Sequence, residues 1–394
     1  MIFKNYKVVK KDFYNTLSKE NKVLDGYRQL VFEHNQKTIF TSNSQENATI
    51  KNTTNVALFP SYLHPNFNSN TPFNVVEMPQ NKITGYAILL KEYADLETLF
   101  KSEFKKSFRA NILRFVNRFE SCFNAQYHMY FGDISEAHYH FLMNTLHHML
   151  THRFNQRNDS NKVLKHWDDY LKTSYALIKE KKASLFVIYH NTVPVHICLN
   201  HHFNNILFVS VPSYDIDYAK FALGNISLYK LLEWSVENKY DLMDMAYGDL
   251  EYKRRWSNLI YSFNHHILYP KHTTLAQIAA AIQIQKLNIK NYLKSKNIDV
   301  LVDTIKCKFK KNTPYREAFL FTFEDVKAID TNGLNQITEE SPAFVFIKKP
   351  INEFLYMHKE HIKDLNVFEI KANQDYLIIG KNKKQTLSLK LLKP

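Results

Sequence analysis

Asp244, Asp249, Tyr252 and Lys253 bring two carboxylates, a phenol and an amine close together in the run Asp244-Met-Ala-Tyr-Gly248-Asp249-Leu-Glu-Tyr252-Lys253-Arg-Arg-Trp256. Groups of these types can exchange protons with one reacting centre. The order of residues predicts a strand ending on an acidic residue, a glycine-containing turn and a short helix that begins Tyr-Lys. The plainer reading is that Asp244 and Asp249 cap a helix or pair with Arg254 and Arg255. Upstream, Gly224 opens a helix-forming segment. A helix start offers unpaired N–H groups and the positive end of a dipole, which together can hold a phosphate. Glycine there lets a ligand approach the backbone closely. Taken alone, a single glycine fits an ordinary loop-to-helix junction better.

The elements that must position these groups follow from periodicity. Strands are expected at Ser184–His190, Val193–His201 and Asn205–Val211, linked by tight turns at Asn191-Thr192 and Asn204-Asn205. A loop over Ser213–Ala222 leads to a helix from Gly224 to Asn238, then to a strand from Asp241 to Ala246. That last strand should run parallel to its predecessor, with the helix as crossover. In open α/β sheets, ligands bind at the carboxyl ends of such strands. Ahead of this element, Tyr27–Phe40 is expected to form a helix leading into a strand. Thr41–Asn70, rich in Asn, Ser and Thr, is expected to be a long loop. A strand at 84–91 should precede a basic helix from Leu96 to Glu120. Asp133, with Glu136 three residues on, predicts a capped helix through His152, and another helix should span Val163–Glu180. Residues 274–296 form an apolar helix. Beyond them lie strand-like runs at Ala318–Phe323, Ala343–Ile347 and Tyr376–Ile379.

Composition bounds the chemistry. The chain has 394 residues, enough for two or three domains, and a formal charge of +14. That charge suits an anionic partner, although its Lys residues are spread along the chain as on solvated faces. With 7 glycines and neither a P-loop nor a GxGxxG run, glycine-rich phosphate cradles are excluded. Cys122, Cys198 and Cys307 make no CxxC pair, which points to a reducing compartment. The N-terminus has no apolar signal core, and no stretch approaches the roughly 20 apolar residues of a membrane span. A soluble, cytoplasmic protein is expected. His148 and His152, and the pairs His201-His202 and His265-His266, lack the Glu of an HExxH helix, so no metal is assigned. No GxSxG elbow is present.

The Ala222-Leu223-Gly224 junction, the Asp244 to Trp256 run and the basic helix before them resemble the GNAT-type acyltransferases. The nearest branch is the cellulose-biosynthesis acetyltransferase group, whose fold is shared with the FemAB/FemX peptidyltransferases. The resemblance covers roughly 95–260. It implies an α/β fold with a GNAT-like mixed sheet and flanking helices. It also implies a degenerate GNAT-like half at 1–125, a catalytic half at 126–270 and an appendage at 271–394. It further implies acetyl-CoA or another acyl-CoA held at Val211, Gly224, Asn225, Ile226 and Gly248. The acyl group would pass to an amine, such as an amino sugar or a surface-polysaccharide precursor. Tyr252 would serve the thioester or leaving thiolate, Asp244 or Asp249 the incoming amine, and Lys253 a phosphate or carboxylate. Where the family has Pro-Gly, this chain has Leu223-Gly224. Two rivals stand beside this reading: a Fem-like transferase fed by charged tRNA, which the positive charge favours, and a binding protein on the same fold.

Overall fold

The computed structural model describes residues 8–42, 50–67, 71–90, 93–157, 162–297, 319–327 and 330–391. The chain opens with β1 (Val9–Asp12), α1 (Phe13–Lys19), β2 (Gln29–Phe32), β3 (Lys37–Thr41), β4 (Thr54–Pro60), β5 (Leu63–Asn66) and the long β6 (Phe73–Leu89). Next come α2 (Leu96–Glu103), α3 (Lys106–Cys122), β7 (Ala125–Tyr130), α4 (Glu136–Arg157), α5 (Lys162–Lys165) and α6 (Trp167–Lys179). β8 (Ala183–His190), β9 (Val193–Phe203) and β10 (Ile206–Tyr214) lead through a 3₁₀ turn (Ile216–Phe221) into α7 (Leu223–Glu237). There follow β11 (Leu242–Tyr247), α8 (Glu251–Trp256), β12 (Leu259–Pro270) and α9 (Thr274–Ser295). The remainder holds β13 (Phe319–Asp325), β14 (Asn335–Ile337), α10 (Phe344–His358), β15 (Asn366–Lys371), β16 (Asp375–Ile379) and β17 (Lys384–Leu391).

This is a mixed α/β fold, and its described residues divide into two compact units. The first unit uses residues up to Leu99, Asn200–Ser210, and Ser235 onward to residue 297. Its strands lie in the order β1-β4-β12-β6-β11-β10. β12 is antiparallel to β4 and β6, β11 is antiparallel to β6, and β10 is parallel to β11. That parallel pair, Ile206↔Leu242 to Phe208↔Asp244, is the one the crossover reading predicts. Its core gathers Phe13, Tyr14, Phe32, Phe59, Phe208 and Phe263. α9 buries Ala280 and Leu287 against Met78 and Ile267.

The second unit uses Phe100–Leu199, Val211–Trp234 and the described residues from 319 on. Here β9, β8 and β7 follow one another in the sheet, with a core of Leu142, Leu146, Ile178, Val187 and Ile197 under α4 and α6. A separate five-stranded antiparallel sheet, β13-β17-β16-β15-β14, belongs to the same unit as α10. No helix of the described residues is long and apolar enough to cross a membrane, which says nothing of strands.

Several expectations need correction. Residues 27–40 form the β2–β3 hairpin, because Leu30-Val-Phe32 and Thr38-Ile-Phe40 flank a polar turn closed by Gln36 at φ 54°. The expected loop at 41–70 contains β4 and β5, and β4 is buried along nearly its whole length. The basic helix breaks at Lys105, whose backbone is extended at φ −57°, ψ 143°. Ser135, not Asp133, caps α4: its Oγ accepts the His138 N–H at 3.3 Å. The helix expected over Val163–Glu180 breaks at His166, giving α5 and α6. Residues 343–347 start a helix, since Ile347, Ile351, Phe354 and Leu355 are buried at helical spacing. By contrast, Asn191 and Asn204 adopt φ 53° and 49°, as their hairpin turns require. Cys307, Ala318 and residue 91 of the expected strand lie outside the described residues.

Candidate active site

In the first unit, β11 ends in a bulge between Asp244 and Tyr247, opposite β6. Ala246 sits there at φ 60°, a left-handed conformation that costs a Cβ-bearing residue roughly 1–2 kcal/mol. The Asp244 carboxylate stabilises that conformation by accepting the Ala246 N–H at 2.7 Å. Asp244 has no exposed surface. The Tyr261 hydroxyl donates to its carboxylate within 2.8 Å of both oxygens, and the Tyr62 hydroxyl donates at 2.8 Å. The Tyr14 hydroxyl bonds the same carboxylate. Burial pushes the Asp244 pKa up, while the hydrogen bonds from Tyr261, Tyr62, Ala246 and Tyr14 pull it down; burial prevails.

Lys253, on α8, is only 6% exposed. Its ammonium donates to the Tyr247 carbonyl at 2.8 Å and reaches the Ala246 carbonyl at 3.4 Å. Burial lowers its pKa to about 8, opposed by the charge of Asp244. The carboxylate and the ammonium therefore hold the same turn. Gly248 completes it at φ 108°, a conformation that favours glycine. On the outer side, Asp249 accepts from the Tyr86 hydroxyl and from Arg254 Nη1, each at 2.7 Å. Tyr247, Leu250 and Tyr252 expose 38%, 52% and 40% of their surface. Of the predicted residues, Asp244 and Lys253 are interior, whereas Asp249 and Tyr252 are accessible.

The tyrosine cage escaped sequence reasoning. Tyr62 lies 182 residues from Asp244, in the segment read as loop, while Tyr261 carried a usable signal in the alternation Leu259-Ile-Tyr-Ser-Phe263. The cage also explains Gly85, which faces Tyr261 in β6. A Cβ on Gly85 would lie 2.1 Å from the Tyr261 ring. Gly85→Ala should therefore displace Tyr261 from Asp244 and lower stability by about 1–3 kcal/mol in urea titrations. An unchanged midpoint would show that the ring moves aside freely.

The other predicted set, Val211, Gly224, Asn225 and Ile226, belongs to the second unit. Ala222, at φ 55° and ψ 43°, precedes α7, and its carbonyl accepts the Asn225 and Ile226 N–H groups at 2.8 and 3.3 Å. Val211 and Ile226 side chains are buried, and the Ile226 N–H is already taken by Ala222. A Cβ on Gly224 would meet nothing within 4 Å, so the space beside it is open.

The histidine pairs serve the fold. His201 bonds Ser210, His202 bonds Tyr240, His265 bonds Asn55 and His266 bonds Tyr27, at 2.8–2.9 Å. Among the described residues no three His, Cys, Asp or Glu side chains converge as metal ligands do.

Residues 106–254 match the acetyltransferase (GNAT) domain family. The match runs from the start of α3 into α8, and so includes both the Gly224 helix start and the Asp244–Lys253 turn. It supports an acyltransferase at the level of the class. No curated protein matches the chain. Among solved structures, FemX is similar over 58% of this chain and 74% of its own, at 8% identity and a TM-score of 0.38. A conserved protein of unknown function from Bacteroides thetaiotaomicron is similar over 55% of this chain and 70% of its own, at 12% identity and a TM-score of 0.38. A functionally unknown conserved protein from Staphylococcus epidermidis is similar over 55% and 71%, at 12% identity and a TM-score of 0.29.

Proposed function

We propose that the chain is an N-acyltransferase that takes its acyl group from acetyl-CoA or another acyl-CoA and passes it to an amine. The acceptor in this reading is an amino sugar or a surface-polysaccharide precursor, as in the cellulose-biosynthesis acetyltransferase group. One observation carries the proposal: an open helix start at Gly224 inside the segment that matches the acetyltransferase (GNAT) domain. The positive end of α7 would hold the donor phosphates beside the Gly224 backbone, with Asn225 next to it.

In the reaction, the amine nitrogen attacks the thioester carbonyl, the C–S bond breaks, and one proton passes from nitrogen to a base while the thiolate gains another. Asp249, accessible and paired with Arg254, is the group proposed to take the amine proton. Tyr252, also accessible, is proposed to protonate the thiolate. Asp244 and Lys253 act on these two by fixing the turn that carries them.

The test is a thermal and calorimetric titration with CoA and acetyl-CoA. Ligand a thousandfold above its Kd should stabilise the wild type by about 4 kcal/mol. Gly224→Glu should fold normally, because its side chain enters open space and a carboxylate suits a helix start. It should nonetheless lose that stabilisation, since the new charge repels a phosphate. A wild type that neither CoA nor acetyl-CoA stabilises would end this reading and turn attention to charged tRNA, whose binding would fall steeply with salt.

A further inference from the structure

We infer that helix α10 is a positioning device for the donor-binding helix start, with Lys348 and Asn352 as its main positioning residues. The inference rests on the donor reading given for Gly224. All of its residues lie in the second unit.

Gly224 is reached through the 3₁₀ turn Ile216–Phe221 and the left-handed Ala222. Such a turn is short and has poor internal hydrogen-bond geometry, so its conformation depends on what surrounds it. Here α10 grips it from end to end. Lys348 Nζ pairs with Asp215 Oδ2 at 2.6 Å and sits 5.1 Å from the centroid of the Tyr218 ring. Asn352, buried, donates to the Asp217 carbonyl at 3.1 Å. Glu353 lies 3.5 Å from Lys220 Nζ. Tyr356 packs edge-on against Phe221, ring centroids 5.3 Å apart, and its carbonyl accepts from Arg118 on α3. Residues 215, 217, 218, 220 and 221 are thus each held, and the helix start begins immediately after.

α10 can do this because another surface anchors it. Phe354 lies near Phe323 of the five-stranded sheet, while Ile347, Ile351 and Leu355 are fully buried. One face of the helix thus serves a core, and the other carries Lys348, Asn352 and Glu353. Loosening those grips would lower the fraction of molecules whose helix start is correctly placed, and the apparent donor affinity falls by that fraction.

The experiment uses full-length Lys348→Ala and Glu353→Ala, with Lys348→Arg as the conservative control, and reads two quantities. The first is amide hydrogen exchange over residues 215–226 without ligand, which reports local opening. The second is CoA affinity by calorimetry. Faster exchange confined to 215–226 and CoA binding about five- to tenfold weaker in Lys348→Ala, both restored by Lys348→Arg, would support the inference. Glu353→Ala, at a more exposed pair, should show the same pattern more weakly, and it keeps the test decisive if Lys348→Ala folds poorly. Unchanged exchange and affinity in folded variants, with wild-type CoA binding intact, would overturn the inference alone. A wild type that binds no CoA would overturn the donor reading, and the inference with it.

Discussion

Between pH 7 and pH 4 the protein should lose stability steeply. Burial depresses the pKa of seven histidines: to about 4 for His190, His265 and His266, to about 3 for His196, His201 and His202, and below its ordinary value for His128. Unfolded, each returns to about 6.5. Between pH 6.5 and 4 the unfolded chain therefore binds protons that the folded chain refuses, and stability falls as pH falls. Each such proton steepens the dependence by about 1.4 kcal/mol per pH unit. Three carboxyls oppose this. Burial raises Asp217 to about 6 and raises Glu339 and Asp244, so the folded state takes those protons first. Seven depressed imidazoles against three raised carboxyls leave the balance toward acid unfolding. Urea midpoints measured from pH 7 to pH 4.5 should drop at every step. His202→Asn, which removes one depressed imidazole, should flatten that trend by about one proton. Midpoints that hold level down to pH 5 would mean that these rings are protonated in the folded state.

The contrast between what the sequence discloses and what it hides is physical. The β10–α7–β11 crossover is legible because its strands are short, apolar and bounded by Asn turns, and because a parallel pair demands a helix between its strands. Gly224 and the Asp244–Lys253 run are legible as types at a spacing. What the run does is not, because that depends on burial. Lys253, Arg254 and Arg255 are three consecutive basic residues, yet only the lysine is buried. Its carbonyl partners come from a bulge that no local pattern announces. The cage around Asp244 is hidden for another reason. It is assembled from α1, the chain between β4 and β5, and β12, and β4 is disguised by Asn and Thr residues that suggest a loop. α10 was open to misreading because Phe344-Val-Phe-Ile347 fits a strand as well as a helix until the next two turns are included.

Asp244→Ala is expected to destabilise the protein by about 3–5 kcal/mol, as removing one member of a buried charged network does. The substitution leaves the Tyr62 and Tyr261 hydroxyls without their shared acceptor, and orphans the Ala246 N–H at a left-handed residue. Each buried donor left unmet costs about 1–3 kcal/mol. Asp244→Asn keeps one oxygen for those donors but turns an amide toward the hydroxyls, so it should cost less than Ala and still be measurable. Adding Tyr261→Phe to Asp244→Ala should recover part of the loss, because one orphaned hydroxyl disappears; the double variant should then be less damaged than the sum of the singles. Lys253 gives a second readout, since its pKa is held up by the Asp244 charge and should fall below about 8 in Asp244→Ala. The alternative is that Asp244 meets the substrate directly. In that case Asp244→Ala would keep wild-type stability and lose turnover alone, and the two readings part on one urea titration.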